Sequence, residues 1–317
     1  MAHGVRGIDP DDFEGLVARA RSYPFEWHPG SFVHVDGRCL PVRWRGDDSP
    51  LAAGRCVMGR AIVEDEDSGM GLPAKVWGRP LVSALDTLGC PPGSYALGDE
   101  RTPVLGYGSN ASPQQLARKF FDFPGPRGVL LNQRCTLHDF DSVYSALMSG
   151  YGSIPADLQH SPGTQLHCFV TWLDAEQMAR MDETEGGYYL AELEGVHLEL
   201  EDGNVLNKIS AYLATAGQLS NLHDDSAEED GGEHRHNFAV AEVPAEGRVF
   251  PSLRQHEAME LVRKKTHAHG LRGPAAHVDE FVLQNIKCAD TRVARVRALA
   301  AAASKFAYPR HTISKRC

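Results

Sequence analysis

The sequence predicts an α+β protein, and three observations support that fold class. Apolar residues alternate with polar ones in runs typical of strands, most clearly in residues 163–173 ("GTQLHCFVTWL"), 188–200 and 205–214. Other segments, such as 112–120, carry apolar residues at helical spacing behind residues that cap helices. No repeat of fixed period emerges along the chain, which argues against a solenoid.

Composition limits the classes of partner. The chain has 317 residues and a net charge of −10, which argues against nucleic acid or an anionic membrane as the main partner. No apolar run approaches the roughly eighteen residues that span a bilayer. The start "MAHGVRGIDPDDFEG" lacks the apolar segment of a signal peptide, so we expect a cytoplasmic protein. The seven cysteines are scattered without a Cys-x-x-Cys pair, which indicates reduced thiols rather than a disulfide framework.

The first zone, residues 1–100, mixes a helix with strand-like and turn-rich sequence. Asp11 and Asp12 precede spaced apolar residues and predict the start of a helix. Asp36-Gly37 lies between two apolar runs and predicts a hairpin turn. The proline- and glycine-rich stretch "GCPPGSYALGDERTP" predicts a connector to the next zone.

The second zone alternates strands with short helices. A strand is predicted at 102–107, and Ser112 followed by proline predicts the capped start of a helix. Asp174 caps the next predicted helix. The Asp-Gly at 202–203 predicts a hairpin between the two strands that follow.

The third zone begins with an acidic, polar segment and continues with helices. We expect residues 218–237 to form a mobile loop, because they are polar and highly charged. Helical patterns follow in "PSLRQHEAMELVRKKTHAHG" and "HVDEFVLQNI", and "DTRVARVRALAAAASKFA" predicts a helical tail at 291–317. Histidines of this zone match no standard zinc-ligand spacing, so we expect no metal there; they are His223, His234, His236, His267 and His269.

The stretch "LGYGSN" at 105–110 places two glycines between a predicted strand and a capped helix. Glycines allow a close backbone approach to a ligand, and free amides at a helix start favour an anion. The spacing matches neither the dinucleotide-binding nor the Walker pattern, so a structural turn stays open as the alternative. Ser109 as a nucleophile is a further alternative, although Gly-x-Ser-x-Gly is absent. A second "GYGS" at 150–153 lacks a capped helix after it and is better interpreted as a turn or a cavity wall.

Three carboxylates, Asp182, Glu183 and Glu185, lie at the end of a predicted helix, directly before two glycines. One interpretation is a solvated acidic helix end. The other is that one carboxylate is kept there for chemistry, since the negative end of the helix dipole disfavours acidic groups. The local pattern leaves both interpretations open.

Taken in order, these segments resemble the gamma-glutamylcyclotransferase family, including its gamma-glutamylamine cyclotransferase relatives. The order is Tyr-Gly-Ser-Asn at 107–110, then "LHDFDSVYSA", "GYGSIPADL" and "SPGTQLHCFVTWL", and finally "MDETEG" at 181–186. A tyrosine, two strands and a closing helix follow. The resemblance covers about residues 101–286.

The resemblance implies a small, strongly bent β-barrel flanked by helices at 101–290. Residues 1–100 and the tail 291–317 have no counterpart in the minimal family fold, and their roles are open. The resemblance also implies that Glu185 is the catalytic acid/base. The substrate-binding residues that it implies are Leu105, Gly106, Tyr107, Gly108, Ser109, Asn110 and Tyr189, with Tyr188 as the alternative to Tyr189.

The implied chemistry is intramolecular and needs no metal or cofactor. The α-amine of a γ-glutamyl amide attacks its own side-chain carbonyl and releases 5-oxoproline and a free amine, with one glutamate moving the proton. This is the activity of an amide-cleaving lyase or acyltransferase. The alternatives are a non-catalytic small-molecule-binding or assembly module, and γ-glutamyl acyl transfer through Ser109. The γ-glutamyl substrate and the oligomeric state stay open.

Overall fold

The computed structural model describes residues 9, 11–44, 61–63, 78–95, 101–221, 236–268 and 275–317. Within these ranges the protein is α+β. Its helices are α1 Phe13–Arg21, α2 Leu81–Thr87, α3 Pro113–Lys119, α4 Ala175–Thr184, α5 Gln255–Ala268, α6 Val278–Lys287 and α7 Ala289–Ala300. Its strands are β1 Phe32–Val35, β2 Arg38–Trp44, β3 Ala61–Val63, β4 Thr102–Gly106, β5 Leu130–Tyr144, β6 Ala156–Leu173, β7 Tyr188–Leu200, β8 Val205–Ala214, β9 Ala239–Val240, β10 Ala245–Glu246, β11 Ser252–Leu253 and β12 His311–Arg316.

Five strands close into a barrel. β6 pairs with β5 and β4, β4 pairs with β8, β8 pairs with β7, and β7 returns to β5. Strands β5 and β6 bend at a register shift next to Asp139, whose φ of 64° is left-handed. Its carboxylate accepts a hydrogen bond from the amide of Gly163 at 2.8 Å. The bulge bends the two long strands enough to close a small barrel.

The Ser-Pro-Gly segment at 161–163 is a bend within a strand. Residues 161–163 lie inside β6, opposite the bulge of β5. Gly163 has a φ of 85° there, so the strand changes direction without ending.

Alternating burial fills the barrel interior. Along β7 the buried side chains are separated by exposed ones, as the two-residue period of a strand requires. Trp172 is completely buried, and its indole N–H donates to Gln133 Oε1 at 3.1 Å, which satisfies its polar atom. Each such large buried side chain contributes about 1.5–3 kcal/mol of hydrophobic stabilisation.

Most of the predicted turns and caps form. Asp36-Gly37 turns β1 into β2, with φ angles of 49° and 72° that suit a tight hairpin. The hairpin at 202–203 joins β7 to β8. Asp12 caps α1 through a 2.9 Å bond from the Gly15 amide, and Asp174 forms a capping box with Gln177.

One predicted N-cap lacks the side-chain hydrogen bond that was expected of it. Ser112 is the residue before α3, as expected, but its hydroxyl makes no cap hydrogen bond. The hydroxyl is buried and has no hydrogen-bond partner among the described residues. Pro113 at the first helical position supplies the preset backbone angle instead.

The first zone is continuous with the barrel. β1 pairs antiparallel with β5, and β2 and β3 extend the sheet from β1. Its buried residues Val17, Leu40 and Leu81 belong to the same hydrophobic cluster as barrel residues such as Leu137. The described part of residues 1–100 therefore shares one core with the barrel.

The expectation of a helical tail at 291–317 is wrong in its second half. α7 ends at Ala300, and β12 then pairs antiparallel with β7, with Ile313 opposite Ala191. The reason is an open edge: β5 covers only 198–200 of β7 on that side, which leaves the backbone groups of 189–193 to be paired. Tertiary pairing thus overrides the local preference of the chain for helix.

Of the acidic loop expected at 218–237, residues 222–235 lie outside the described residues. The last two residues of the predicted helical segment 251–270 lie outside them as well. Across the described ranges, helices fall short of the length and apolarity needed to cross a membrane.

Asp157, near the start of β6, is a buried carboxyl group behind the barrel wall. It is 1% exposed, and one oxygen accepts hydrogen bonds from the amides of Leu158 at 2.9 Å and Ala214 at 3.0 Å. Burial raises the pKa of Asp157 to about 7. Because the folded-state pKa lies above the unfolded one, this group makes the fold less stable as pH rises from about 4 to about 7.

We predict that Asp157→Asn removes this pH-dependent loss. An amide keeps one oxygen for the two backbone donors but carries no charge to desolvate. The melting temperature of the variant minus that of the wild type is expected to increase by about 2–5 °C between about pH 5 and about pH 8. Thermal melts followed by circular dichroism measure the difference. A difference that stays constant with pH would contradict the assignment.

Candidate active site

A cavity of about 350 Å³ opens beside the barrel, where four segments meet. The loop that follows β4, the segment 147–151, the end of α4 and the first residue of β7 form its walls. Helix α1 and the residues just after it add Arg19 and Tyr23. Its volume is in the range of cavities that hold small-molecule ligands.

Glu185 is a buried carboxylate in this cavity. It is the C-cap residue of α4 and is 8% exposed. Its Oε1 accepts a hydrogen bond from Asn110 Nδ2 at 2.9 Å and a close contact from the Lys119 ammonium. The side chains of Lys119 and Glu185 are 7% and 10% exposed, so the ion pair is almost fully shielded from solvent. Removing either charge would leave the other buried and uncompensated.

The backbone after β4 sets this contact. Residues Ser109–Ala111 form a 3₁₀ turn directly after the strand, and α3 then carries Lys119 in its last turn. Gly108 is needed for a close approach, since a Cβ there would lie 2.6 Å from the hydroxyl oxygen of Tyr23. A glycine-containing loop and one short helix thus bring Asn110 and Lys119 to the same carboxylate oxygen.

Tyrosine hydroxyls surround Glu185. Burial raises the pKa of each, and the Glu185 carboxylate raises it further; the four are Tyr23, Tyr107, Tyr151 and Tyr188. Two of them are fixed to β6, because Tyr188 donates to the Ala156 carbonyl at 2.8 Å and Tyr23 accepts from the Ala156 amide at 2.7 Å. All four hydroxyls therefore stay protonated, but the protons of Tyr188 and Tyr107 are already donated to the carbonyls of Ala156 and Tyr212.

The two other carboxylates of the acidic segment are engaged elsewhere. Asp182 accepts from the hydroxyl of Tyr212 at 2.7 Å and from Lys315 of β12 at 2.8 Å. Glu183 has a side chain that is 65% exposed and lies 3.4 Å from Arg180. The structure therefore distinguishes Glu185 from its neighbours by burial and by its contact with the loop.

Cations outnumber carboxylates on the described cavity wall. Arg19, Arg118, Lys119 and Arg180 line it together with Glu183 and Glu185. Burial, with the neighbouring Arg118 as the second cause, lowers the pKa of Arg19 to about 10. The Phe25 ring lies 6.0 Å from the Arg19 guanidinium and 5.5 Å from that of Arg118. A cationic wall in a chain of net charge −10 favours an anionic group in the cavity.

The structure brings most of the predicted loop to the cavity. Among the described lining residues are Leu105, Tyr107, Gly108, Ser109 and Asn110, whereas Gly106 is not. The prediction of Tyr189 does not agree with the geometry. Its neighbour Tyr188 lines the cavity, because successive strand residues point to opposite faces of the sheet.

The second "GYGS" also contributes to the wall. Gly150 and Tyr151 line the cavity, and Gly152 turns the chain with a φ of 88°. Ser153 is buried and bonds Ser149, with 2.8 Å between the two hydroxyl oxygens. The two copies of the motif thus lie on one cavity but in different backbone structures.

Sequence reasoning missed Lys119, Tyr23 and Arg19. Lys119 has a weak signal, since it lies in the last turn of a helix that starts at the predicted loop. Arg19 and Tyr23 have none, because they reach the cavity only through packing of the first zone against the barrel.

The described residues that line the cavity include no histidine that could act as a base for Ser109. Its hydroxyl interacts with that of Tyr151, whose pKa burial raises. A neutral phenol is a poor base for activating a serine.

The comparisons with known proteins were made for the whole chain. No family model matches it, and no curated protein does. Among solved structures, one described as a gamma-glutamyl cyclotransferase is 19% identical, covering 37% of this chain and 68% of its own, with a TM-score of 0.29. The crystal structure of uncharacterized protein loc79017 from Homo sapiens is 21% identical over the same shares, with a TM-score of 0.28. At these TM-scores the likeness carries no argument about function.

We predict strong coupling between Lys119 and Glu185. Lys119→Met and Glu185→Gln each leave one buried group uncompensated and are expected to cost about 2–4 kcal/mol of unfolding free energy. The double variant is expected to lose less than the sum of the two, with a coupling of about 1–3 kcal/mol. Urea denaturation near neutral pH measures the unfolding free energy of the wild type, the two single variants and the double variant.

The matched control is the exposed pair Arg127 and Glu176, whose side chains are 50% and 57% exposed. Arg127→Met and Glu176→Gln should show no measurable coupling, because water screens the pair. Additive losses at Lys119 and Glu185 would show that the buried pair does not form.

Proposed function

We propose that the protein is a cofactor-independent gamma-glutamylcyclotransferase. Its substrate is a γ-glutamyl amide, and its products are 5-oxoproline and a free amine. The observation that carries the proposal is the buried Glu185 carboxylate, held by Asn110 and Lys119 against the "LGYGSN" loop in a cavity of about 350 Å³. The ordered motifs at 107–110, 161–173 and 181–186 support the same family.

Glu185 moves the proton. Both contacts from Asn110 and Lys119 fall on Oε1, which leaves Oε2 for the substrate. The carboxylate takes a proton from the α-ammonium of the substrate and so frees the amine to attack. The adjacent Lys119 ammonium balances the charge of the buried carboxylate.

Ring closure then needs one bond made and one broken. The amine nitrogen forms a bond to the γ-carbonyl carbon and gives a tetrahedral oxyanion. Collapse of the oxyanion breaks the bond to the leaving nitrogen, which takes the proton from Glu185. The ring nitrogen gives up its second proton to the released amine, which leaves as an ammonium ion. The carboxylate is regenerated, and no oxidant or external nucleophile enters. Attack within one molecule removes the entropy cost of bringing two reactants together.

The cavity wall matches the charges of this substrate. The neutral hydroxyls of Tyr23 and Tyr151, together with the amides of the loop, are donors for the oxyanion, which is the developing charge. Arg19 and Arg118 supply positive charge for the α-carboxylate. The tyrosine donors do not titrate near neutral pH, because burial raises their pKa values.

We predict that the purified protein releases 5-oxoproline from a panel of γ-glutamyl amides. Glu185→Gln should lower kcat by about 10²–10⁴-fold, because the amide cannot accept the proton. Glu176→Gln is the matched control and should keep nearly full activity, since Glu176 is exposed on the same helix and is not among the described residues that line the cavity. 5-Oxoproline is quantified by mass spectrometry. Full activity of Glu185→Gln would sink the assignment, and ligand binding without turnover by the wild type would indicate a binding module.

Ser109→Ala separates cyclisation from acyl transfer. Cyclisation needs no protein nucleophile, so the variant should keep activity within about tenfold of the wild type. Acyl transfer through Ser109 predicts an inactive variant and a γ-glutamyl-enzyme that hydroxylamine traps. Intact-protein mass spectrometry during turnover detects such an intermediate, and finding it would overturn the cyclisation mechanism.

A further inference from the structure

Three potential metal ligands converge on the outside of the barrel, away from the cavity. They are His138 of β5 and His197 and Glu199 of β7. The register pairs Leu137 with Leu198, which makes His138 and His197 neighbours across the two strands. None of the three is among the described residues that line the cavity.

The ligand atoms of this cluster already lie close together. His197 Nε2 is 2.8 Å from Glu199 Oε1, and His138 Nε2 is 3.4 Å from the same oxygen. All three ligand atoms lie within 4.8 Å of one another. The imidazole rings stand edge to face, with centroids 4.6 Å apart.

A surface ion pair explains only part of the cluster. It accounts for the contact between His197 and Glu199. It accounts for His138 less well, because the Nε2 of His138 is shielded from solvent, lies 3.4 Å from Glu199 Oε1 and makes no hydrogen bond among the described residues. A shielded imidazole nitrogen beside a second imidazole and a carboxylate is an arrangement that a cation can complete.

We propose that His138, His197 and Glu199 form a Zn²⁺ site, with water in the fourth position. Two imidazole nitrogens and one carboxylate are a donor set that zinc uses, at about 2.0–2.2 Å from the metal. Ligand atoms around a tetrahedral ion of that size are about 3.3 Å apart, so small side-chain rotations close the observed spacing. The strands hold the backbone of all three residues in place, which lowers the cost of ordering them.

A bound ion would strengthen the short pairing between β5 and β7 in the barrel. Three residue pairs join β5 to β7 in the described part of the sheet, whereas thirteen join β5 to β6. An ion bound by both strands adds its binding free energy to the folded state only. The expected effect is a more stable barrel, and the chemistry of the cavity is untouched.

The test uses metal-free full-length protein and Zn²⁺ itself. Titration calorimetry should show one ion per chain, and Zn²⁺ should raise the melting temperature. His138→Ala and Glu199→Gln should each weaken binding by at least about tenfold. Co²⁺ in place of Zn²⁺ should give the visible absorption of a tetrahedral site, which a loosely attracted ion does not give.

His256→Ala is the matched control, because His256 is exposed on α5 outside the cluster, and it should bind as the wild type does. Cys288→Ser excludes the exposed thiol as the ligand. Unchanged affinity in His138→Ala, loss of binding in Cys288→Ser alone, or no binding at all would each overturn the proposal. Glu199 is about half exposed, so its variant should fold even if His138→Ala does not.

Discussion

The ion pair between Lys119 and Glu185 is the contact on which the site depends. A charge with so little exposure needs a partner, and here each charge is the partner of the other. The pair joins the end of α3 to the end of α4, and Asn110 attaches the loop to the same oxygen. Loop, helix and carboxylate are therefore positioned together, and the orientation of Glu185 follows from a requirement of stability.

The first zone of the chain is part of this arrangement. Tyr23 fills the space above Gly108, so the loop and the first zone must pack as one unit. Its strands continue the barrel sheet through β5, and its apolar residues share the barrel core. A segment that looked like an addition thus supplies an aromatic hydroxyl and, through Arg19, a cation to the cavity wall.

Local signals in the sequence were reliable where the structure is local. Asp-Gly turns, the caps at Asp12 and Asp174, and the long strands follow from residue type and spacing. The closed barrel agrees with what the family resemblance implied. Contacts between distant segments were not predictable: β12 forms because β7 has an open edge. The sequence left Tyr188 and Tyr189 as alternatives, and the strand register places Tyr188 on the cavity wall. Lys119, Tyr23 and the His138 cluster depend on the same kind of tertiary placement.

The most direct test of the central claim is a crystal structure of the protein with 5-oxoproline bound. The account predicts that the lactam ring lies between the 105–110 loop and Glu185. Its nitrogen should be about 3 Å from Glu185 Oε2, the distance that proton transfer requires. Lys119 should remain on Oε1. A ligand bound elsewhere, or a Glu185 carboxylate turned away from the ring nitrogen, would contradict the role of Glu185 as the group that moves the proton.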